Sequence, residues 1–189
     1  KQDGVDPRHI ALIGYADGGA VSFVAASHEK KIAGVVTLNA SGSLGADLLL
    51  VQQRRLLDEM NLAPTDRSAR IELQKKIQAA VISGKGWEGI PEALRRQSDT
   101  PWFKSVLTYN PALVLLQVRQ PLLIVHGDLD PNVPPSEADL LGQIADTRKK
   151  AAPVRVVHVP DVNQTFSDPK TRAISDKLVS AIGDWIQKL

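Results

Sequence analysis

The residues of this chain that could do chemistry begin at a glycine-flanked turn: Gly14-Tyr-Ala-Asp-Gly-Gly19 closes the apolar run that opens at Ile10. A buried strand turning sharply into a small-residue helix lifts the side chain at the centre of the turn above the sheet. The flanking glycines permit the strained backbone this needs. A serine so placed attacks a carbonyl carbon, and the turn follows that G-x-S-x-G pattern with Ala16 in the serine's place. A carboxylate able to orient a general base comes later, in Val125-His-Gly-Asp-Leu-Asp-Pro-Asn-Val-Pro-Pro135, where Asp130 stands just past another apolar run. Beyond the last such run, Val159-Pro-Asp-Val-Asn-Gln-Thr-Phe166 carries Gln164 where a histidine base is expected. An amide does not take a hydroxyl proton at neutral pH, so the chemistry written here is acyl transfer with nucleophile and base both replaced.

The elements that must position these residues follow from apolar periodicity. Four short runs, Ile10 to Gly14, Ile32 to Leu38, Leu122 to His126 and Val154 to Val159, read as strands buried on both faces of a mostly parallel sheet flanked by helices, which sets the class as α/β. Gly19 to Ser27 is a short helix that packs close to the sheet. Ser136 to Lys149 is amphipathic, with Ser136 as its expected cap, and Lys170 to Leu189 is a closing helix with Ile174, Leu178, Ala181, Ile182, Trp185 and Ile186 at helical spacing. The interval from Ser41 to Gln120 breaks the alternation with helices over Leu44 to Met60 and Asp66 to Ile82, then shorter helical pieces at Pro91 to Ser98 and Pro101 to Leu107. Ligands of α/β sheets bind outside the carboxyl ends of the strands, so an insertion leaving the second strand, about residues 42–118, reads as a cap or lid. A satellite helical layer or a dimerisation element is the alternative.

Composition bounds the rest. A chain of 189 residues with 43% hydrophobic and 23% charged residues suits one domain, residues 1–189, with a real core. A net charge of +2, with Lys and Arg dispersed, argues against a nucleic-acid partner, and no apolar run approaches the ~20 residues that span a bilayer. The absence of cysteine excludes disulfides and thiolate chemistry while leaving the compartment open.

Taken in order, four segments resemble the carboxyl-terminal two-thirds of an α/β-hydrolase, closest to lid-containing bacterial esterases and serine aminopeptidase-like hydrolases. They are Asp6-Pro-Arg-His-Ile-Ala-Leu-Ile-Gly-Tyr-Ala-Asp-Gly-Gly19; Thr100-Pro-Trp-Phe-Lys104 with Tyr109-Asn-Pro111; Pro121 to Asp130 with Val133-Pro134; and Asp161-Val-Asn-Gln164. The resemblance implies that the family's nucleophile falls on Ala16, its acid on Asp130 and its base on Gln164, with the backbone N–H of Asp17 as one oxyanion donor. It implies no cofactor. Family members carry further strands and a second oxyanion donor ahead of the elbow strand, so a sheet that starts here is expected to expose an edge, which an upstream segment or a second chain would complete.

Other candidates read as structure. Ser41 and Ser43 sit in a turn-like Ala-Ser-Gly-Ser, and the Asp17 side chain lies one position past the elbow centre. His126 and His158 read as packed strand residues, and His9 and His28 as surface residues. Asp128, Asp130 and Asp161 read as loop caps and an inherited acid, so no metal is expected. Tyr15, Trp87, Trp102 and Phe103 are candidates to line an apolar acyl pocket, with lid packing as the other role for the last three. Three readings stay open: a silenced hydrolase of carboxylic esters or amides, a pseudoenzyme that binds a small molecule or partner, and a structural fragment of a larger hydrolase.

Overall fold

A computed structural model describes residues 3–149 and 152–189. Four parallel strands, β1 (Ala11–Tyr15), β2 (Gly34–Leu38), β3 (Leu122–Gly127) and β4 (Val154–Val159), lie side by side in chain order. The register pairs Tyr15 with Leu38, Leu38 with Val125, and Gly127 with Val159. All four carboxyl ends therefore reach the same edge of the sheet, and the loops that follow them start side by side. Helices α1 (Asp17–His28), α6 (Pro111–Leu115) and α7 (Ser136–Asp146) join the core on one face, around Phe23, Leu115, Leu122, Ile124 and Leu141. Helix α8 (Asp176–Ile186) brings Leu178 and Trp185 to the core of the other face, with Val36, Leu123, Val125 and Phe166.

The central strands β2 and β3 are buried on both faces, as their unbroken apolar runs predict. The outer strands are not. β1 is an edge strand with Ile13 53% and Tyr15 49% exposed, and β4 is half-buried. Apolar composition alone does not separate an edge from a centre, because that depends on which strands pair.

The chain divides into two compact units. One holds the sheet and runs up to Gly42 and again from Pro111; the other is Ser43–Asn110. The second is helical: α2 (Gly45–Glu59), α3 (Pro64–Ser83), α4 (Glu92–Ser98) and α5 (Pro101–Thr108). Its own core is Ile77, Ala80, Val81, Trp87, Ile90 and Leu107. Gly45 has no room for a Cβ, which would lie 1.8 Å from the Val106 carbonyl oxygen, so α2 and α5 meet backbone to backbone. Thr100 caps α5 by accepting from the Phe103 N–H at 3.1 Å, and Gly84 ends α3 in the left-handed region at φ 74°.

Three expectations are corrected. Pro135, not Ser136, precedes the first turn of α7, because the Pro134 and Pro135 carbonyls already accept from the Glu137 and Ala138 N–H groups. The closing helix starts at Asp176 rather than near Lys170, since the Asp168 carboxylate accepts from the Lys170 and Thr171 N–H groups and holds that segment as a turn. Ile174 consequently lies outside the helix and is exposed. Helix α6 had no counterpart among the expected elements.

At the opposite end of the sheet, Arg148 locks the strand entrances. Its buried guanidinium donates to four carbonyls, Ala145 at 2.8 Å, Val118 at 3.1 Å, Gln120 at 3.0 Å and Ala152 at 2.9 Å. Gln120 in turn donates to the Ala26 and Glu29 carbonyls that end α1.

Candidate active site

The strand β1 ends at Tyr15 and α1 starts at Asp17, leaving Ala16 to make the whole turn. It does so at φ 48°, ψ −118°, a region that a residue with a Cβ avoids, at a cost of about 1–3 kcal/mol. The Ala16 N–H donates to the Leu38 carbonyl at 2.8 Å and its own carbonyl accepts from Gly19 at 2.9 Å. Two glycines make the turn possible by packing. A Cβ on Gly14 would stand 2.2 Å from the Gly18 carbonyl oxygen, and one on Gly19 would stand 2.6 Å from the Ala40 Cβ. Gly18 faces open space, so the expectation that it shares this role is corrected.

Two expected outcomes follow. Gly14→Ala destabilises by about 3 kcal/mol, the upper end of overpacking, because the clash is with backbone, whereas Gly18→Ala changes the denaturation midpoint little. Ala16→Gly removes the turn strain and stabilises by about 1 kcal/mol in the same assay, the strain relief outweighing the greater freedom of the unfolded glycine.

Asp17 opens α1, so its backbone N–H lies in the first turn, where no intrahelical acceptor exists, and Ala16 offers no side-chain cap. An N–H so placed can donate to an anion held beside residue 16.

Asp130 follows β3 in a tight loop. Its Oδ1 accepts from the Asn132 N–H at 2.7 Å and the Val133 N–H at 3.2 Å. The Asn132 side-chain amide donates to Gln164 Oε1, so Asp130 and Gln164 are joined through one residue. Gln164 is held a second time: its carbonyl accepts from Asn39 Nδ2 at 2.8 Å. Asn39 is 1% exposed, sits just past β2 at φ 52°, and accepts from the Gly127 N–H at 2.8 Å, so it ties together the loops leaving β2, β3 and β4. Beside Gln164, Asn163 Oδ1 accepts from the Thr165 and Ser167 N–H groups, and buried Phe166 anchors the turn in the core beneath. Partial burial and then the nearby Asp130 charge push the Tyr15 phenol up.

Asn39, Asn132 and Asn163 were not picked out from the sequence. The one signal for Asn39 was a polar residue closing an otherwise apolar strand run. Ser41 is committed to structure, donating to Glu137 Oε2 at 2.7 Å, while the Gly42 N–H donates to the same oxygen at 2.9 Å. His126 is fully buried, with Nε2 3.1 Å from the Val133 carbonyl oxygen, and burial pushes its pKa down. His9 pairs with Asp6 on the surface. His158 is not the packed strand residue expected; it is partly exposed between two carboxylates. In the helical unit, Trp87 is 9% exposed with the Arg95 guanidinium over its ring at 5.2 Å. Phe103 packs against the same core, and Trp102 is 71% exposed.

No sequence-family model matches the chain, and no curated protein matches it. Solved structures do. DcsB, determined in complex with its substrate analogue, is similar at a TM-score of 0.56 and 18% identity, over 100% of this chain and 67% of that one. The meta-cleavage product hydrolase of Pseudomonas fluorescens is similar at 0.51 and 16%, over 94% of this chain and 64% of that one. The esterase Pf2001 of Pyrococcus furiosus is similar at 0.50 and 16%, over 96% of this chain and 54% of that one. The chain thus spans between 54% and 67% of the length of these proteins. With its parallel sheet, crossing helices and strand-to-helix elbow, this chain has the α/β-hydrolase fold over the part that runs from the elbow strand to the last helix.

Proposed function

We propose that the chain is the scaffold of a serine hydrolase of the esterase or peptidase type, built for carboxylic esters or amides. Ala16 and Gln164 replace its nucleophile and base, so that it does not turn over as it stands. The observation that carries this reading is Ala16 at φ 48°, ψ −118°. An alanine gains nothing from a strained elbow, whereas a serine there gains an exposed nucleophile beside the Asp17 N–H. Two backbone N–H donors hold the Asp130 carboxylate, and Asn132 links its loop to Gln164, which supports assigning Asp130 to orient a histidine at 164. At 164 the chain has an amide bound by Asn132, which takes no proton from a hydroxyl.

Around this site, Tyr15 is the residue we expect to border the ligand. The helical unit, inserted between β2 and α6, is the proposed cap. Within it the exposed Trp102, with Phe103 beside it, is a better candidate to meet a ligand than Trp87, which is used in the unit's own core. The free edge of β1, with Ile13 uncovered, is where an upstream segment or a second chain would add to the sheet.

A pseudoenzyme that holds a small ester or amide without turnover is favoured as the second reading by the network on Gln164, which fixes the substituted residue from its side chain and its carbonyl alike. The test is p-nitrophenyl ester hydrolysis by the chain, with any native upstream segment attached, against the Ala16→Ser/Gln164→His double variant. Turnover confined to the variant supports the silenced hydrolase. Inert but folded proteins favour the binding or structural roles.

A further inference from the structure

We infer that His158 is a pH-responsive clamp: its doubly protonated ring ties the first turn of α7 to β4 and to the loop that carries Asp130, and loss of one proton leaves only one of the two carboxylates bonded, loosening that turn. Its Nδ1 lies 2.9 Å from Asp128 Oδ1 and its Nε2 lies 3.0 Å from Asp139 Oδ1. A neutral imidazole has one N–H and can donate to only one of these carboxylates; the imidazolium donates to both. The two acids come from different elements, Asp128 from the loop just past β3 and Asp139 from the first turn of α7. Because they meet opposite edges of the ring they do not converge, and among the described residues no His and carboxylate group is arranged to hold a metal ion.

The groups that face His158 are few. His126, its register partner on β3, lies 6.2 Å away between ring centroids. It is buried and its pKa is pushed down, so it stays neutral where His158 titrates. Asp130 acts on His126 from the same loop. Val154 and Val156 share the α7 face of β4, whereas Val157 and Val159 turn to the α8 side, so the charges of α8 lie across the sheet. Partial burial opposes the charged ring, but the two carboxylates outweigh it and raise its pKa above the ordinary histidine value. A group raised in the folded state contributes stability fully present below the unfolded value near 6.5, lost as pH rises through the folded value. The same turn of α7 holds Glu137, the acceptor for Ser41 and Gly42, so release extends to the segment leaving β2.

Amide hydrogen exchange of the full chain, corrected for intrinsic rates, tests this. Protection of α7 and of Gly42 should fall on the order of tenfold between pH 6 and 8.5. His158→Gln should lower the pH 6 value and flatten the profile. Asp139→Asn, at an exposed position that leaves the core intact, should shift the midpoint to lower pH, and NMR of the His158 ring should show both nitrogens protonated at pH 6. A flat profile in the unmodified chain, an unchanged slope in the variants, or a neutral ring at pH 6 would overturn the clamp.

Discussion

Ala16→Ser alone should leave ester hydrolysis at background, and Ala16→Ser with Gln164→His should raise it by about 10³-fold or more. The difference arises because nucleophile and base act as a unit. Losing either costs nearly as much as losing both, on the order of 10⁶-fold in a complete site. A lone serine at residue 16 would be well aimed by the elbow but would keep its proton, since Gln164 offers an amide and Asp130 is proposed to orient a base rather than to be one. The gain is set below the full value because the proposed oxyanion site has one assigned donor, the Asp17 N–H, and each further donor of such a site is worth about 10²–10³-fold. Any native segment ahead of the elbow strand that adds a second donor is expected to raise the double variant further while leaving Ala16→Ser alone near background. Equal activity of the single and double variants in p-nitrophenyl acetate turnover would contradict the assignment of residue 164.

Arg148→Met should cost about 3 kcal/mol in urea denaturation, the largest effect expected of any substitution away from the elbow. The methionine preserves the buried stem but withdraws every donor from the carbonyls of Val118, Gln120, Ala145 and Ala152. Hydrogen bonds from a charged donor contribute roughly 1.5–3 kcal/mol each, and carbonyls left buried without partners add their desolvation cost. Burial of the guanidinium without a bonded carboxylate pushes its pKa down and offsets part of that sum. Exposed pairs give the contrast: Arg96→Met breaks the 2.7 Å contact to Glu92 on α4 and should move stability by no more than about 0.5 kcal/mol. If the two variants behave alike, the four carbonyls are being solvated and the clasp at the strand entrances is not formed in solution.

What could be read from the chain, and what could not, divides along one physical line. Properties set by neighbours in sequence were legible. The β-branched runs became strands within a residue or two, and helices α2 to α5 of the insertion fell where their periodicity put them. Gly14 and Gly19 were recognisable because a tight strand-to-helix turn demands small residues at fixed spacing. Asp130 and Gln164 both follow strand ends in the sequence, and the loops that carry them leave the same edge of the sheet, joined through Asn132. Properties set by which elements meet were not legible. Asn39 becomes the tie between three loops only when β2 lies between β1 and β3, and nothing local to Leu38-Asn39-Ala40 says so. His158 looked like one more strand residue because Asp128 and Asp139 approach it only after α7 packs on β4. β1 reads as apolar as β3, yet pairing leaves one at the edge and the other in the middle.

The most direct test of the silenced elbow is intact-mass analysis after treatment with a fluorophosphonate, which bonds covalently to an activated serine. The chain as it stands should remain unlabelled, Ser41 and Ser43 included, and the Ala16→Ser/Gln164→His variant should gain one adduct that peptide mapping places on residue 16. Labelling of the unmodified chain would reveal another activated serine and contradict the assignment. So would a folded double variant that stays unlabelled with any native upstream segment attached.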